Sequence, residues 1–261
     1  MISDASRREA AQALATAERE RSAIPPLRET YPELDAVDAY EIQLLQIRDK
    51  LAAGARVRGH KVGLSSKAMQ KMIGVDTPDY GHLLDTMFVD EGSALAAADF
   101  CFPRIEIEVA FVLGRELPAP GCSVADVLAA TDYVAPSLEI IDSRIDGWNI
   151  RLFDTISDNA SSARLVLGGT KTKVEDIDLR TLGAVLRKNG EIMETGASGA
   201  VLGHPAIAVA WLANTVHSFG VTLGEGHVIL PGSCTRAIDV APGDVIRGDF
   251  DRLGHVSVKF S

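Results

Sequence analysis

The sequence predicts a β-rich mixed fold with helices gathered at its N-terminus. Three observations lead there. Residues 1–55 carry helical patterning, many short strand-like runs follow, and one long segment, Arg104 to Leu113, alternates cleanly between apolar and polar residues. Neither an internal repeat nor a regular strand–helix–strand alternation is visible, so a parallel doubly wound sheet is not expected.

Residues 4–22 are rich in Ala, Arg and Glu and read as a helix that Pro25 and Pro26 stop. A second helix is expected from Asp35 to about Ala53, with Val37, Tyr40, Leu44, Ile47 and Leu51 as its apolar stripe. Arg56 to Leu64 reads as a strand, 65–73 as a short helical turn and Asp76 to Gly81 as a loop punctuated by Pro78 and Gly81. After the strand at 104–113, Ser123 and Asp126 have capping-box spacing and open a helix. Tyr133 to Ile141 reads as a strand, 154–162 as a polar loop, and 163–167, 184–187 and 191–195 as strands. The last two are joined by Asn189-Gly190, a strong hairpin signal. Pro205 opens a helix that ends near Phe219 and Gly220. Short strands at 227–231, 236–240, 245–250 and 255–260 finish the chain.

Composition narrows the function. The 261 residues are 46% hydrophobic and 24% charged, which is ordinary for a globular chain. A formal net charge of -10 argues against nucleic acid or an anionic membrane surface, since either needs a basic patch. No apolar run approaches the roughly 20 residues of a spanning helix, and Met1 to Ala5 lacks the features of a signal peptide. Cys101, Cys122 and Cys234 are widely spaced and read as free thiols, which fits a reducing compartment. Neither a dinucleotide fingerprint nor a phosphate loop is present, and G-x-S-x-G is absent.

The alternating strand puts Ile105, Ile107, Val109, Phe111 and Leu113 on one face and Arg104, Glu106, Glu108 and Ala110 on the other. On a half-exposed strand, Glu-x-Glu is commonly a solvated face. Enclosed, two carboxylates on one face repel, and a divalent cation such as Mg²⁺, Mn²⁺ or Ca²⁺ removes that cost. Glu139 is a single acid in the apolar run 133–141 and needs a partner, either a metal or an Arg such as Arg104 or Arg144. Together Glu106, Glu108 and Glu139 would supply three oxygen ligands and leave positions for water and a chelating substrate. Lys61 reads as a snorkelling surface residue or, in a pocket, as a partner for an enolate or carboxylate oxygen. Asp79 reads as a turn residue or as a group handling a proton or water. The segment 231–235 is a turn that could also offer N–H groups and hydroxyls to a carboxylate, and the six histidines read as structural or surface groups.

Several longer segments then stand in a recognisable order: Gly59-His60-Lys61-Val62-Gly63-Leu64-Ser65, Gly74 to Gly81, Pro103-Arg104-Ile105-Glu106-Ile107-Glu108, Leu138 to Arg144, Asp154 to Ser162 and Val201-Leu202-Gly203-His204-Pro205. With them the chain resembles the fumarylacetoacetate hydrolase superfamily, in its group of 2-hydroxypenta-2,4-dienoate hydratases and 4-oxalocrotonate decarboxylases. The resemblance implies an α+β fold. A mixed β-sandwich roll at 56–261 would carry the site, with an N-terminal helical arm at 1–55. It implies a divalent metal, Mg²⁺ or Mn²⁺, on Glu106, Glu108 and Glu139. It makes Lys61 and Asp79 the catalytic candidates, and Ser161, Ser233 and Thr235 the substrate-binding ones. The implied activity is hydration of a small-molecule 2-hydroxy-2,4-dienoate in aromatic-ring breakdown, with decarboxylation of 2-oxohex-3-enedioate as the alternative. Acylpyruvate-type hydrolysis and a non-catalytic partner role rank behind these. Gly81 to Asp85 and Leu230 to Thr235 look like the branch serving steroid-ring degradation. Cytoplasmic location, a homo-oligomer and association with the next pathway enzyme are also implied.

Overall fold

The computed structural model describes every residue except 68, 69, 72 and 73, so the helical turn expected over 65–73 lies partly outside the described residues. Helix α1 (Asp4–Glu20) starts where the Ser3 hydroxyl accepts the Ser6 N–H. A short turn, α2 (Leu27–Thr30), leads to α3 (Ala36–Ala52), which opens with a reciprocal cap between Asp35 and Asp38. The apolar stripe expected on α3 differs from the buried one. Val37 and Leu51 are exposed, whereas Asp38, Ala39, Ile42, Gln43, Gln46 and Ile47 are buried. Two glutamines can sit inside because their amides satisfy main-chain carbonyls. Gln43 donates to Tyr80 and Ile156 oxygens, and Gln46 to that of Ser157.

Three short strands, two of them only two residues long, follow β1 (Val57–Gly63): β2 (Asp79–Leu84), β3 (Phe88–Val89) and β4 (Ala94–Leu95). The loop expected at 76–81 therefore gives way at Asp79 to a fully buried strand. Pairing with β1 overrides the local Pro and Gly signals. The long strands β5 (Pro103–Leu113) and β6 (Thr131–Asp142) flank α4 (Val124–Ala130), whose Ser123–Asp126 cap forms as its spacing predicts. The polar loop expected at 154–162 is instead α5 (Leu152–Ser157) followed by a 3₁₀ turn at Asn159–Ser161. Asp154 and Asp158 are buried there because Arg28 and Arg144 pair with them. Then come β7 (Ser162–Leu167), β8 (Gly183–Lys188), β9 (Glu191–Ala197), α6 (Pro205–His217), β10 (Val228–Leu230), β11 (Ile238–Asp239), β12 (Val245–Phe250) and β13 (Gly254–Phe260). Asn189 and Gly190 both take positive φ between β8 and β9, as a two-residue hairpin requires.

The strands form two mixed sheets. The first runs β2-β1-β10-β5-β6-β7-β3, with β11 also paired to β5, and the second runs β4-β13-β12-β8-β9. They share one apolar core. Ile105, Ile107, Val109, Phe111 and Leu113 on one face of β5 are at most 1% exposed, and each stabilises the fold by about 1.5–3 kcal/mol through burial. Gly248 of β12 packs directly on Ile107 and Leu138, so this face of β5 and β6 is covered by the second sheet. The opposite face of the first sheet carries Glu106, Glu108 and Glu139 beside a second, smaller apolar cluster that includes Ala110, Val112, Leu165 and Leu230. The N-terminal helices are joined to it: the Ile24 N–H donates to the Arg144 carbonyl and Arg28 pairs with Asp154. No helix among the described residues is long and apolar enough to cross a membrane.

Candidate metal centre and active site

Register builds the site. Glu106 on β5 lies directly opposite Glu139 on β6, and Glu108 lies two pairs further along, opposite Ser137. Like charges placed directly opposite repel, yet Glu108 and Glu139 are fully buried. Among the described residues, one group of His, Cys, Asp and Glu side chains has the spacing to hold an ion. It is Glu106, Glu108 and Glu139, whose ligand atoms all lie within 4.8 Å of one another. Neither rival arginine reaches them: Arg104 pairs with Asp239 and Arg144 with Asp158.

The remaining sheet edge supplies a cation and a fourth acid. On β1, Lys61 stands opposite Gly81 of β2, and Gly63 stands opposite Asp79. Directly opposite residues share a face, so Lys61 and Asp79 rise on the same side. The Lys61 Nζ is 3.4 Å from Glu139 Oε2 and donates to the Ala160 carbonyl at 3.0 Å. Lys61 is 3% exposed and Asp79 1%, so neither the snorkelling reading of Lys61 nor the exposed-turn reading of Asp79 applies. Neighbouring His60 points the other way, with its ring 4.8 Å from that of His82, and His82 meets Gln43.

The charges in this space are unbalanced. Burial raises the Glu106 carboxyl to about 7, with Lys61 pulling down and Glu139 and Asp79 pushing up. Burial, then Glu139 and Glu106, holds Glu108 well above the carboxylate range. Burial also raises Asp79, against the pull of Lys61 and a hydrogen bond from Thr155. For Lys61, burial works against the charge, but the carboxylates, Glu139 first, outweigh it and raise its pKa. The ammonium is held charged.

Among the described residues, Glu108 Oε1 and both Glu139 oxygens are buried without a hydrogen-bond partner. Unsatisfied buried oxygens are costly, and hard carboxylate oxygens are the donors a Mg²⁺, Mn²⁺ or Ca²⁺ ion takes. Two oxygens on one ion sit at most about 4–5 Å apart, so the observed spread needs only small side-chain rotations. The residues present fit such an ion.

That fit has a pH signature. A carboxyl holding its proton up to about pH 7 must release it to bind an ion. Apparent affinity for Mn²⁺ is therefore expected to fall between pH 8 and 5, by about tenfold per unit for each proton displaced. In the metal-free protein the sign is opposite. Glu106 is raised from 4.5 in its unfolded reference, so its contribution to stability is present below that value and is lost as pH rises toward about 7. Titration calorimetry of Mn²⁺ in buffers of different ionisation enthalpy reads the released protons directly. A pH-independent affinity would contradict this arrangement.

The loop after β10 touches the carboxylates through its main chain. The Gly232 N–H donates to Glu108 Oε2 at 2.7 Å. Ser233 and Thr235 spend their hydroxyls on the carbonyls of Ile107 and Arg236. Gly232 has φ +117, and a Cβ there would lie 1.6 Å from the Ser65 hydroxyl. Gly232→Ala is expected to cost more than about 2 kcal/mol of stability and to weaken Mn²⁺ binding, read together by a thermal melt and an ion titration. Ser161 differs from its two partners among the substrate-binding candidates. Its hydroxyl is buried and, among the described residues, without a partner, one residue after the carbonyl that holds Lys61. Reading the sequence offered N–H groups from 231–235 to a carboxylate, which the Gly232 contact matches, but missed the Ala160 carbonyl and Thr155. Main-chain groups carry no residue signature, and Thr155 fell within a stretch read as loop.

An enclosed three-carboxylate centre beside a charged lysine, on a mixed β roll, defines a class of enzyme site suited to a divalent ion. The chain belongs to the fumarylacetoacetate hydrolase family: the family described as Fumarylacetoacetate (FAA) hydrolase C-terminal matches residues 58–261. Over 256 residues it is 46% identical to the 2-oxo-hept-4-ene-1,7-dioate hydratase of Escherichia coli, covering 96% of each chain. It is 41% identical to the 2-keto-4-pentenoate hydratase of Paraburkholderia xenovorans (strain LB400), covering 97% of this chain and 94% of that one. Among solved structures, the 4-oxalocrotonate decarboxylase of Pseudomonas putida G7, complexed with magnesium and adipate, superposes with a TM-score of 0.97. It is 39% identical, over 100% of this chain and 99% of that one.

Proposed function

We propose that the protein is a metal-dependent hydro-lyase that adds water to 2-hydroxypenta-2,4-dienoate to give 4-hydroxy-2-oxopentanoate. The observation that carries this reading is the Glu106–Glu108–Glu139 cluster beside Lys61, with Glu108 and Glu139 buried and Glu106 half-buried, in a chain similar over nearly its whole length to hydratases of such acids. Held by those three glutamates, a Mg²⁺ or Mn²⁺ ion would act as a Lewis acid toward the chelating carboxylate and 2-oxygen of the substrate. The residues of the chain do the rest. Lys61, held by Ala160 and Glu139, places a fixed positive charge where the 2-oxygen gathers negative charge. Asp79, whose pKa burial raises, would give a proton to C5 as the 2-hydroxyl releases its own to solvent, converting the dienol to a conjugated ketone. It would then be restored by a proton from the water that adds at C4, while C3 of the resulting enolate takes one from solvent. The Ser161 hydroxyl, without a partner among the described residues, binds the substrate carboxylate. Ser233 and Thr235 contact it by exchanging their main-chain bonds.

The second reading is decarboxylation of 2-oxohex-3-enedioate, favoured by the superposition on the decarboxylase. It uses the same cluster, with Lys61 stabilising the enolate left after loss of CO₂. We further propose, from the family resemblance, cytoplasmic work as a homo-oligomer, association with the next pathway enzyme and a substrate tail from steroid-ring breakdown. Residues 1–55 serve as a helical brace for a catalytic unit at 56–261.

One assay separates these readings. Freshly generated 2-hydroxypenta-2,4-dienoate is followed in the ultraviolet with Mg²⁺, with Mn²⁺ and with EDTA. Metal-dependent loss of the dienol absorbance with formation of 4-hydroxy-2-oxopentanoate establishes the hydratase. CO₂ release from 2-oxohex-3-enedioate without hydration moves the activity to the decarboxylase. Inactivity on both removes the proposal.

A further inference from the structure

Three consecutive non-glycine residues, Asn159, Ala160 and Ser161, take left-handed backbone, with φ of 52°, 50° and 55°. Such a run is disfavoured for L-residues and persists only where its surroundings impose it. The Asn159 side chain imposes it here. Its Oδ1 accepts the His82 N–H at 2.8 Å and its Nδ2 donates to the His82 carbonyl at 3.0 Å. The amide thus pairs with β2 as a neighbouring strand residue would, along the edge strand of the first sheet. Gly81 permits the approach, since a Cβ there would lie 2.4 Å from the Asn159 carbonyl oxygen. The turn is tied at its other end as well, where the Ser161 N–H donates to the Asp158 carbonyl.

The consequence falls on the site. The next residue, Ala160, presents the carbonyl that accepts from Lys61 Nζ at 3.0 Å, and the one after it is Ser161, whose hydroxyl has no partner among the described residues. β2, the strand Asn159 grips, begins with Asp79. One side-chain amide therefore joins the three parts that surround the glutamate cluster. We propose that Asn159 is a positioning residue. It clamps the 159–161 turn to β2 and so sets the location of the Lys61 ammonium and of Ser161 relative to Asp79, without touching substrate or metal. The inference rests on the roles given above to Lys61 and Asp79.

The test uses Asn159→Gly in the full-length protein. Glycine adopts positive φ freely, so only the two amide bonds are lost. Asn159→Asp is the second variant. It keeps the acceptor for the His82 N–H but sets a carboxylate oxygen against the His82 carbonyl. Three quantities are read: kcat and KM on the dienol, Mn²⁺ affinity by calorimetry, and amide hydrogen exchange by mass spectrometry. The expected result is kcat lower by tenfold to about a hundredfold, Mn²⁺ affinity within about twofold of the parent, and faster exchange confined to 79–83 and 158–162. The kcat loss should fall mainly on the turnover step, with KM changing less. A purely structural role would instead lower Mn²⁺ affinity and raise exchange throughout the sheet. That outcome, or a kcat within twofold of the parent in both variants, overturns the inference. Should the parent protein itself fail to turn over the dienol, the proposed function fails. The clamp is then judged on exchange alone, where unchanged exchange at 79–83 and 158–162 overturns it.

Discussion

Glu108→Gln is expected to abolish tight Mn²⁺ binding and to lower kcat/KM by about a thousandfold, about 4 kcal/mol of transition-state stabilisation. The amide keeps the size of the side chain and can still accept the Gly232 N–H, so the loop after β10 stays in place. What it removes is one anionic oxygen from a set of three, and with it a large part of the attraction for a divalent ion. In the metal-free protein the sign reverses. Glu108 is held well above the carboxylate range by burial and by Glu139 and Glu106, so a neutral side chain relieves repulsion and the metal-free variant should melt at a higher temperature than its parent. Addition of Mg²⁺ should then raise the melting temperature of the parent and leave that of the variant unchanged. Equal stabilisation of both proteins by Mg²⁺ would place the ion elsewhere.

Lys61→Met separates charge from packing. Methionine fills much of the space of the lysine stem but carries no charge, so a loss reports the ammonium. We expect kcat to fall about a hundredfold or more, while Mn²⁺ affinity at pH 8 holds or increases. Lys61 is the cation that pulls Glu106, Glu108 and Asp79 toward ionisation, and its positive charge also repels an ion. Without metal, the variant leaves Glu139 buried with no counter-charge and should lose up to about 3–5 kcal/mol of stability at neutral pH. Metal should restore most of it. A variant that loses Mn²⁺ binding in step with activity would instead make Lys61 a structural prop for the glutamates. The two substitutions pull in opposite directions: one loses the ion and gains metal-free stability, the other keeps the ion and loses that stability.

The alternating run at 104–113 carried most of what could be read in advance. Period-two patterning determines which residues share a face, so placing Glu106 and Glu108 together against a buried Ile107, Val109 and Phe111 needed no coordinates. Asn189-Gly190 and the Ser123–Asp126 cap were equally legible, because the chemistry of each turn or cap lies within four residues. The segments 76–81 and 154–162 were misread for the converse reason. Their Pro, Gly and polar residues signal loops locally, but β2 forms through pairing with β1. Asp154 and Asp158 are buried because Arg28 and Arg144 reach them from other elements, and half-buried Asn159 is held by His82. The same holds for Gln43 and Gln46 on α3, buried where apolar residues were expected.

By itself, the sequence determined the family, the β-rich character of the chain after residue 56 and the identity of the carboxylates on one strand face. These depend on residue type and short-range period. Tertiary structure decided that Glu139 stands directly across from Glu106, that Lys61 points at Glu139 rather than at solvent, and that a carbonyl of a left-handed turn holds its ammonium. Register between strands far apart in the chain, and the enclosure that turns a pair of surface acids into a charge-starved cluster, are long-range properties, and no local pattern encodes them.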